Sequence, residues 1–243
     1  MAKVNLNVKL INVTDNALSL IYAACRQCYS SKFAADIQND QKDEKKMADF
    51  VKRVIASGHE SPLEHAKFTF AIEGVSRALT HQLVRHRLAS YSQQSQRYVK
   101  EDDFDFIIPP SIQKNKEARE EFLKVMSRIQ EGYNNLLKFL KEDSLEGEKA
   151  NQDARFVLPQ GTETKIVVTM NARELLHFFE LRCCLRAQWE IRKLAYKMLS
   201  ICKKTLPAVF EDAGAKCIHL GYCPEGRRFT CGRYPLKEDV IGG

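Results

Sequence analysis

The stretch SRALTHQLVRHRLASYSQQSQRY, residues 76–98, decides the reading of this chain. It holds Arg77, His81, Arg85, His86, Arg87 and Arg97 without one Asp or Glu, whereas acids and bases interleave elsewhere. Its first half places Ala78, Leu79, Leu83, Val84 and Leu88 at helical spacing, so Gln82 and Arg85 fall near one another on a different stripe. Ser90, Ser92 and Ser95, with Gln93, Gln94 and Gln96 among them, then end the amphipathic pattern in a polar loop. A helix end with adjacent cations, followed by a loop of donors and acceptors, suits phosphate oxygens with a base or sugar beside them. A solvated basic face is the plainer alternative, and the missing acids and interleaved Tyr91 and Tyr98 argue against it.

The bulk numbers fit a soluble globular chain: 243 residues, 44% apolar and 28% charged. No apolar run reaches membrane-spanning length and the start, MAKVNLNVKL, has no signal-peptide core, so the expected compartment is the cytoplasm. The eight cysteines are therefore expected to be reduced, and Cys25, Cys28, Cys183, Cys184 and Cys202 buried in apolar settings. A net charge of +7 favours acidic partners.

Along the chain, residues 4–13 alternate as a half-buried strand, and Thr14 and Asp15 are placed to cap a helix through Leu18 and Ile21. Residues 36–46 read as a polar loop and 47–55 as a helix ended by Gly58. In Gly58-His59-Glu60-Ser61-Pro62-Leu63-Glu64-His65, Ser61 before Pro62 is expected to cap a short helix whose amides face an anion. HExxxxH is too long for a zincin pair, so no metal is read there. Residues 66–72 read as a strand, 101–111 as an irregular connection, and 114–141 as an amphipathic helix whose apolar stripe is core. Residues 154–158 stop at Pro159, and 165–170, KIVVTM, read as a buried strand. Asn171-Ala172-Arg173-Glu174 is a capping box opening one long helix to about Thr205, on which Arg173 and His177 share a face and Arg182 points elsewhere. In the tail, Cys217, His219, Cys223 and Cys231 match no usual zinc spacing, so reduced thiols are expected and a structural metal is the alternative.

Several of these segments together resemble the flavin-dependent thymidylate synthases, the ThyX family. Arg85-His86-Arg87, seven residues and then Ser95 form an R-H-R-x7-S signature, and Gly58 to His65, Arg155 before Leu158-Pro159, Asn171-Ala172-Arg173 and Leu181-Arg182 through Ile191 follow in the family's order. The resemblance implies an α/β (α+β) fold with a central mixed or antiparallel sheet packed with long helices, assembled as a homotetramer. It implies a catalytic domain over residues 1–212 and a separate Cys-rich tail over 213–243.

By the same resemblance the chain is an FAD enzyme that converts dUMP to dTMP with 5,10-methylenetetrahydrofolate and NADPH. Ser61, Arg85, His86, Arg87, Gln93, Asn171, Arg173 and His177 are implied FAD contacts, with His59 near flavin and folate. Gln82, Arg85, Gln93, Ser95, Gln96, Arg97, Arg155 and Arg182 are implied dUMP contacts, and Arg182 is the implied catalytic residue. Ser95 is read as a substrate contact, since a hydroxyl without a base is a poor nucleophile. Gln93, Gln96 and His177 depart from the residues common in relatives. No metal, nucleic acid or membrane is implied. The rival from another class is a nucleic-acid module that uses the basic helix and its tyrosines for stacking.

Overall fold

The computed structural model describes residues 4–40 and 43–241, so residues 1–3, 41, 42, 242 and 243 lie outside it, including parts of the amino-terminal stretch, the expected loop and the tail. Strands β1 (Asn7–Val13), β2 (Lys67–Ser76), β3 (Ala89–Gln93) and β4 (Glu163–Asn171) form a small antiparallel sheet in the order β1-β2-β4-β3. The helices are α1 (Ala17–Gln27), α2 (Ala34–Asp40), α3 (Glu44–Ala56), α4 (Arg77–Leu83), α5 (Pro110–Lys114), α6 (Lys116–Glu142), α7 (Glu148–Ala154), α8 (Ala172–Arg182), α9 (Trp189–Thr205), α10 (Pro207–Phe210), α11 (Lys216–Leu220) and α12 (Lys237–Ile241). The expected α+β class and antiparallel sheet are both present. Among the described residues no helix is long and apolar enough to cross a membrane.

Contacts divide the described residues into two compact units: those within 4–7, 71–85 and 91–167 form the first, and those within 8–40, 43–70, 86–90 and 168–241 the second. In the first unit, Phe104, Phe106 and Ile108 from the irregular connection pack with Met126 of α6, flanked by Phe122, Ile129 and Leu158. In the second, the rings of Phe68 and Phe179 meet Phe210 at 5.5 and 6.0 Å. Each such buried ring contributes about 1.5–3 kcal/mol.

Several local expectations fail for identifiable reasons. Asn16, in the left-handed region, precedes α1 without a side-chain cap, because Thr14 Oγ1 instead accepts from Lys67 N at 2.9 Å and ties the strand end down. The polar segment 36–46 is mostly helical: α2 runs through it, and Asp43 caps α3 by accepting from Lys46 N. Residues 89–93 pair as β3 rather than looping. In β4, Lys165 and Val167 are exposed while Ile166, Val168 and Met170 are buried, so the strand covers one face only.

The expected single helix from 171 to 205 is two. Residues 183–188 interrupt it without Gly or Pro, and side chains of α9 satisfy the backbone that the break exposes. Tyr196 Oη donates to Cys183 O at 3.0 Å, and Arg192 Nη1 donates to Leu185 O at 2.8 Å and Ala187 O at 3.2 Å. Gln188 Oε1 accepts from the amides of Glu190 and Ile191, starting α9. Of the cysteines expected to be buried, Cys25, Cys183 and Cys202 are; Cys184 is half-buried and Cys28, on the turn after α1, is exposed.

Candidate active site

In the second unit the site grows from the start of α8. Asn171 Oδ1 accepts from Glu174 N at 2.8 Å, the first half of the expected capping box. The second half is absent: the Glu174 carboxylate is buried and meets His86 Nδ1 at 3.2 Å. On its other side His86 Nε2 accepts from Arg182 Nε at 3.0 Å. One neutral tautomer, with the proton on Nδ1, satisfies both bonds. Burial, then the nearby Arg182 and His177, lower the His86 pKa to about 4, so the ring is neutral at physiological pH. Burial likewise lowers Arg182 and raises Glu174. His86 packs edge-on against Phe178 at 4.9 Å and lies 6.2 Å from the ring of His177, which is itself exposed.

This corrects the helical-wheel expectation. Arg182 does not stand apart from the proposed flavin residues, because it and His177 both neighbour His86. Exposed Arg173 extends away from them to Glu64 at 2.5 Å and Glu60 at 3.6 Å. Ser61 is the first residue of a short 3-10 turn, Ser61–His65, and not its cap, which is Glu60. His59 is half-buried with the Tyr29 ring edge-on at 6.3 Å. Arg87 is exposed and has no acid partner among the described residues.

In the first unit, Gln82 is half-buried on α4 and Arg85 is exposed beyond its end. Gln93 Nε2 donates to Thr80 Oγ1 at 3.1 Å and Thr164 Oγ1 at 3.3 Å, fixing its amide. Ser95 Oγ accepts from Arg97 N at 3.2 Å in a local turn, and no base hydrogen-bonds it among the described residues. Gln96 is buried and its Nε2 lacks a partner, as does the buried Nε of Arg97. Arg97 pairs with Glu148 through Nη2, and its carbonyl accepts from Asn151 Nδ2 at 3.1 Å. Arg155, at the other end of α7, donates from Nε to Gln152 O at 3.3 Å.

The sequence reading missed two things. Arg77, at the first position of α4, is not among the implied contacts, yet burial and then the charge of Arg155 lower its pKa while the charge of Glu101 opposes them, so the Arg155 guanidinium acts on it. Its place on the acid-free stretch was the available signal. The acids that balance this stretch and its neighbours come from far along the chain: Glu148 on Arg97, Glu174 on His86, and Glu60 and Glu64 on Arg173. A cavity of about 960 Å³, lined by Thr14, Ala17, Met47 and Pro207 among others, contains none of the implied residues.

The family model described as Thymidylate synthase complementing protein matches residues 9–208. A protein of Nitratidesulfovibrio vulgaris named Flavin-dependent thymidylate synthase is 53% identical over 99% of this chain and 100% of its own length. One of Clostridium tetani with the same name is 48% identical over 93% of each chain. The chain belongs to this family of flavin-dependent thymidylate synthases. Its fold also matches the crystal structure of a UMP/dUMP methylase, PolB of Streptomyces cacaoi bound with 5-Br dUMP, with a TM-score of 0.72, 22% identity, and coverage of 86% of this chain and 94% of that one.

Proposed function

We propose that the chain methylates dUMP reductively: dUMP, 5,10-methylenetetrahydrofolate, NADPH and a proton give dTMP, tetrahydrofolate and NADP⁺. The observation that carries this reading is the set of unsatisfied cationic and amide donors in the first unit. Gln96 Nε2 and Arg97 Nε are buried without partners, and Arg77 and Arg155 repel one another. A buried donor left unpaired costs about 1–3 kcal/mol, which a bound nucleotide monophosphate would recover. Arg97, Arg155 and Arg77 hold the phosphate in this reading, while Gln82, Gln93, Ser95 and Gln96 hold the sugar and base.

The implied flavin residues fit FAD. Arg85 and Arg87 flank His86 in sequence as exposed cations without acid partners among the described residues, which suits a pyrophosphate. Ser61, His86, Gln93, Asn171, Arg173, His177 and His59 complete the set. FAD held by these residues would supply the two-electron chemistry that links NADPH to the one-carbon unit. Arg182 supplies a cation beside the uracil and stabilises its deprotonated form, so that C5 attacks without a covalent enzyme adduct. Ser95 is a binding residue. Self-association to a homotetramer belongs to the reading, and Leu123, Leu136 and Phe139 of α6, 37, 37 and 56% exposed, offer apolar surface for it.

The test is an absorbance spectrum of the purified protein, followed by dUMP, methylenetetrahydrofolate and NADPH with a dTMP assay. A yellow protein bleached by NADPH and forming dTMP is expected. A colourless protein that binds oligonucleotides with steep salt dependence would replace this reading with a nucleic-acid module.

A further inference from the structure

The tail is held in a defined shape without a core of its own. Among the described residues after Ala215, Cys223 alone is buried. Yet the chain reverses at Gly221, φ 69°, and returns so that Cys223 N donates to Pro235 O at 2.7 Å, with an isolated bridge from Cys223 to Leu236. A segment this small and polar needs a staple to stay folded.

The fold supplies the material for one. A cavity of about 30 Å³ is lined by Cys217, Cys223 and Cys231 of the tail and by Cys184 from the break between α8 and α9. All four thiols thus border one small space. His219, the residue that the tail's spacing brought forward, is exposed and does not line the cavity. Arg186 and Lys216 line the same cavity, and Arg186 is fixed by Glu225 and by the Phe229 ring at 4.3 Å.

We propose that Cys184, Cys217, Cys223 and Cys231 form a structural zinc site that pins the tail to the joint between α8 and α9. Four thiolates around Zn²⁺ are a usual closed structural set and leave a net charge of minus two, beside which the lining cations Arg186 and Lys216 are matched by the lining acids Glu180 and Glu225. Among the described residues no three ligand side chains already converge on one point, so binding draws the thiols inward. Turning one cysteine between staggered rotamers moves its sulfur by about 3 Å, enough for that closure. Each thiol that binds loses its proton to solvent.

The experiment is metal analysis of the full chain together with cobalt substitution. About one zinc per chain is expected, falling at least ~5-fold in Cys184→Ser and in Cys231→Ser and unchanged in Cys28→Ser and His219→Ala. Cobalt(II) added to the metal-free unsubstituted chain should give thiolate charge-transfer absorption and tetrahedral ligand-field bands, a result that stands even if a variant misfolds. Zinc content unchanged by Cys184→Ser, a cobalt spectrum without thiolate bands, iron with sulfide in place of zinc, or a mass two hydrogens light from a disulfide would each overturn the proposal.

Discussion

His86 lies between a carboxylate and a guanidinium and stays neutral by giving its one proton to the first and its lone pair to the second. Its folded pKa, about 4, lies below the ordinary 6.5, so between those values the unfolded chain binds more protons. The contribution is complete above pH 6.5 and is lost as pH falls towards 4, up to about 3 kcal/mol. Glu174, raised by burial, acts with the opposite sign, and His177 and Arg182 are the other charged groups near the ring. Urea unfolding of the wild type and of His86→Gln should therefore differ in slope across that window, and parallel curves would refute the assignment. At the same scale, Arg182→Ala should retain flavin while losing tritium release from C5 of dUMP, by at least ~100-fold if this half-buried cation supplies about 3 kcal/mol. The R-H-R triplet was legible in the sequence as a ligand motif. That its middle member turns inward to Glu174, 88 residues away, was not, because no local pattern encodes such a pairing.

Among the elements, β2 and the start of α8 show how much a short pattern can say. The capping role of Asn171 was readable three residues ahead, and Asn171→Ala should cost about 1 kcal/mol, measured as a fall in denaturation midpoint. Gly74 carried no such message. Its φ is +68°, its amide donates to Glu163 Oε1 at 2.8 Å, and an added Cβ would lie 2.1 Å from Asn5 O. Gly74→Ala therefore meets immovable backbone as well as a disfavoured dihedral, and a loss of about 3 kcal/mol or more is expected in thermal unfolding. The break at 183–188 was invisible for a related reason. No Gly or Pro marks it, and the carbonyls it frees are taken up by Arg192 and Tyr196 further on.

At the level of the whole molecule, the class and the sheet followed from alternation in 66–72 and β-branching in 165–170, while the division into two units did not, since both strands run across the boundary between them. The proposed assembly predicts a particle of about four times the 27.9 kDa chain in light scattering, and an active monomer would refute it. Arg77→Ala should weaken dUMP binding by about 10- to 100-fold, with the flavin spectrum unchanged, because a charge-assisted contact is worth ~1.5–3 kcal/mol.

One outcome of the interrupted helix concerns the resting state. Ending α8 at residue 182 puts Arg182 in its last turn, where the unpaired carbonyls of the helix form a partial negative pole. The guanidinium thus has a favourable berth before any anion arrives, worth about 0.3–1 kcal/mol. In the proposed reaction, a pyrimidine that takes on negative charge competes for this cation with the helix end and with the His86 Nε2 acceptor.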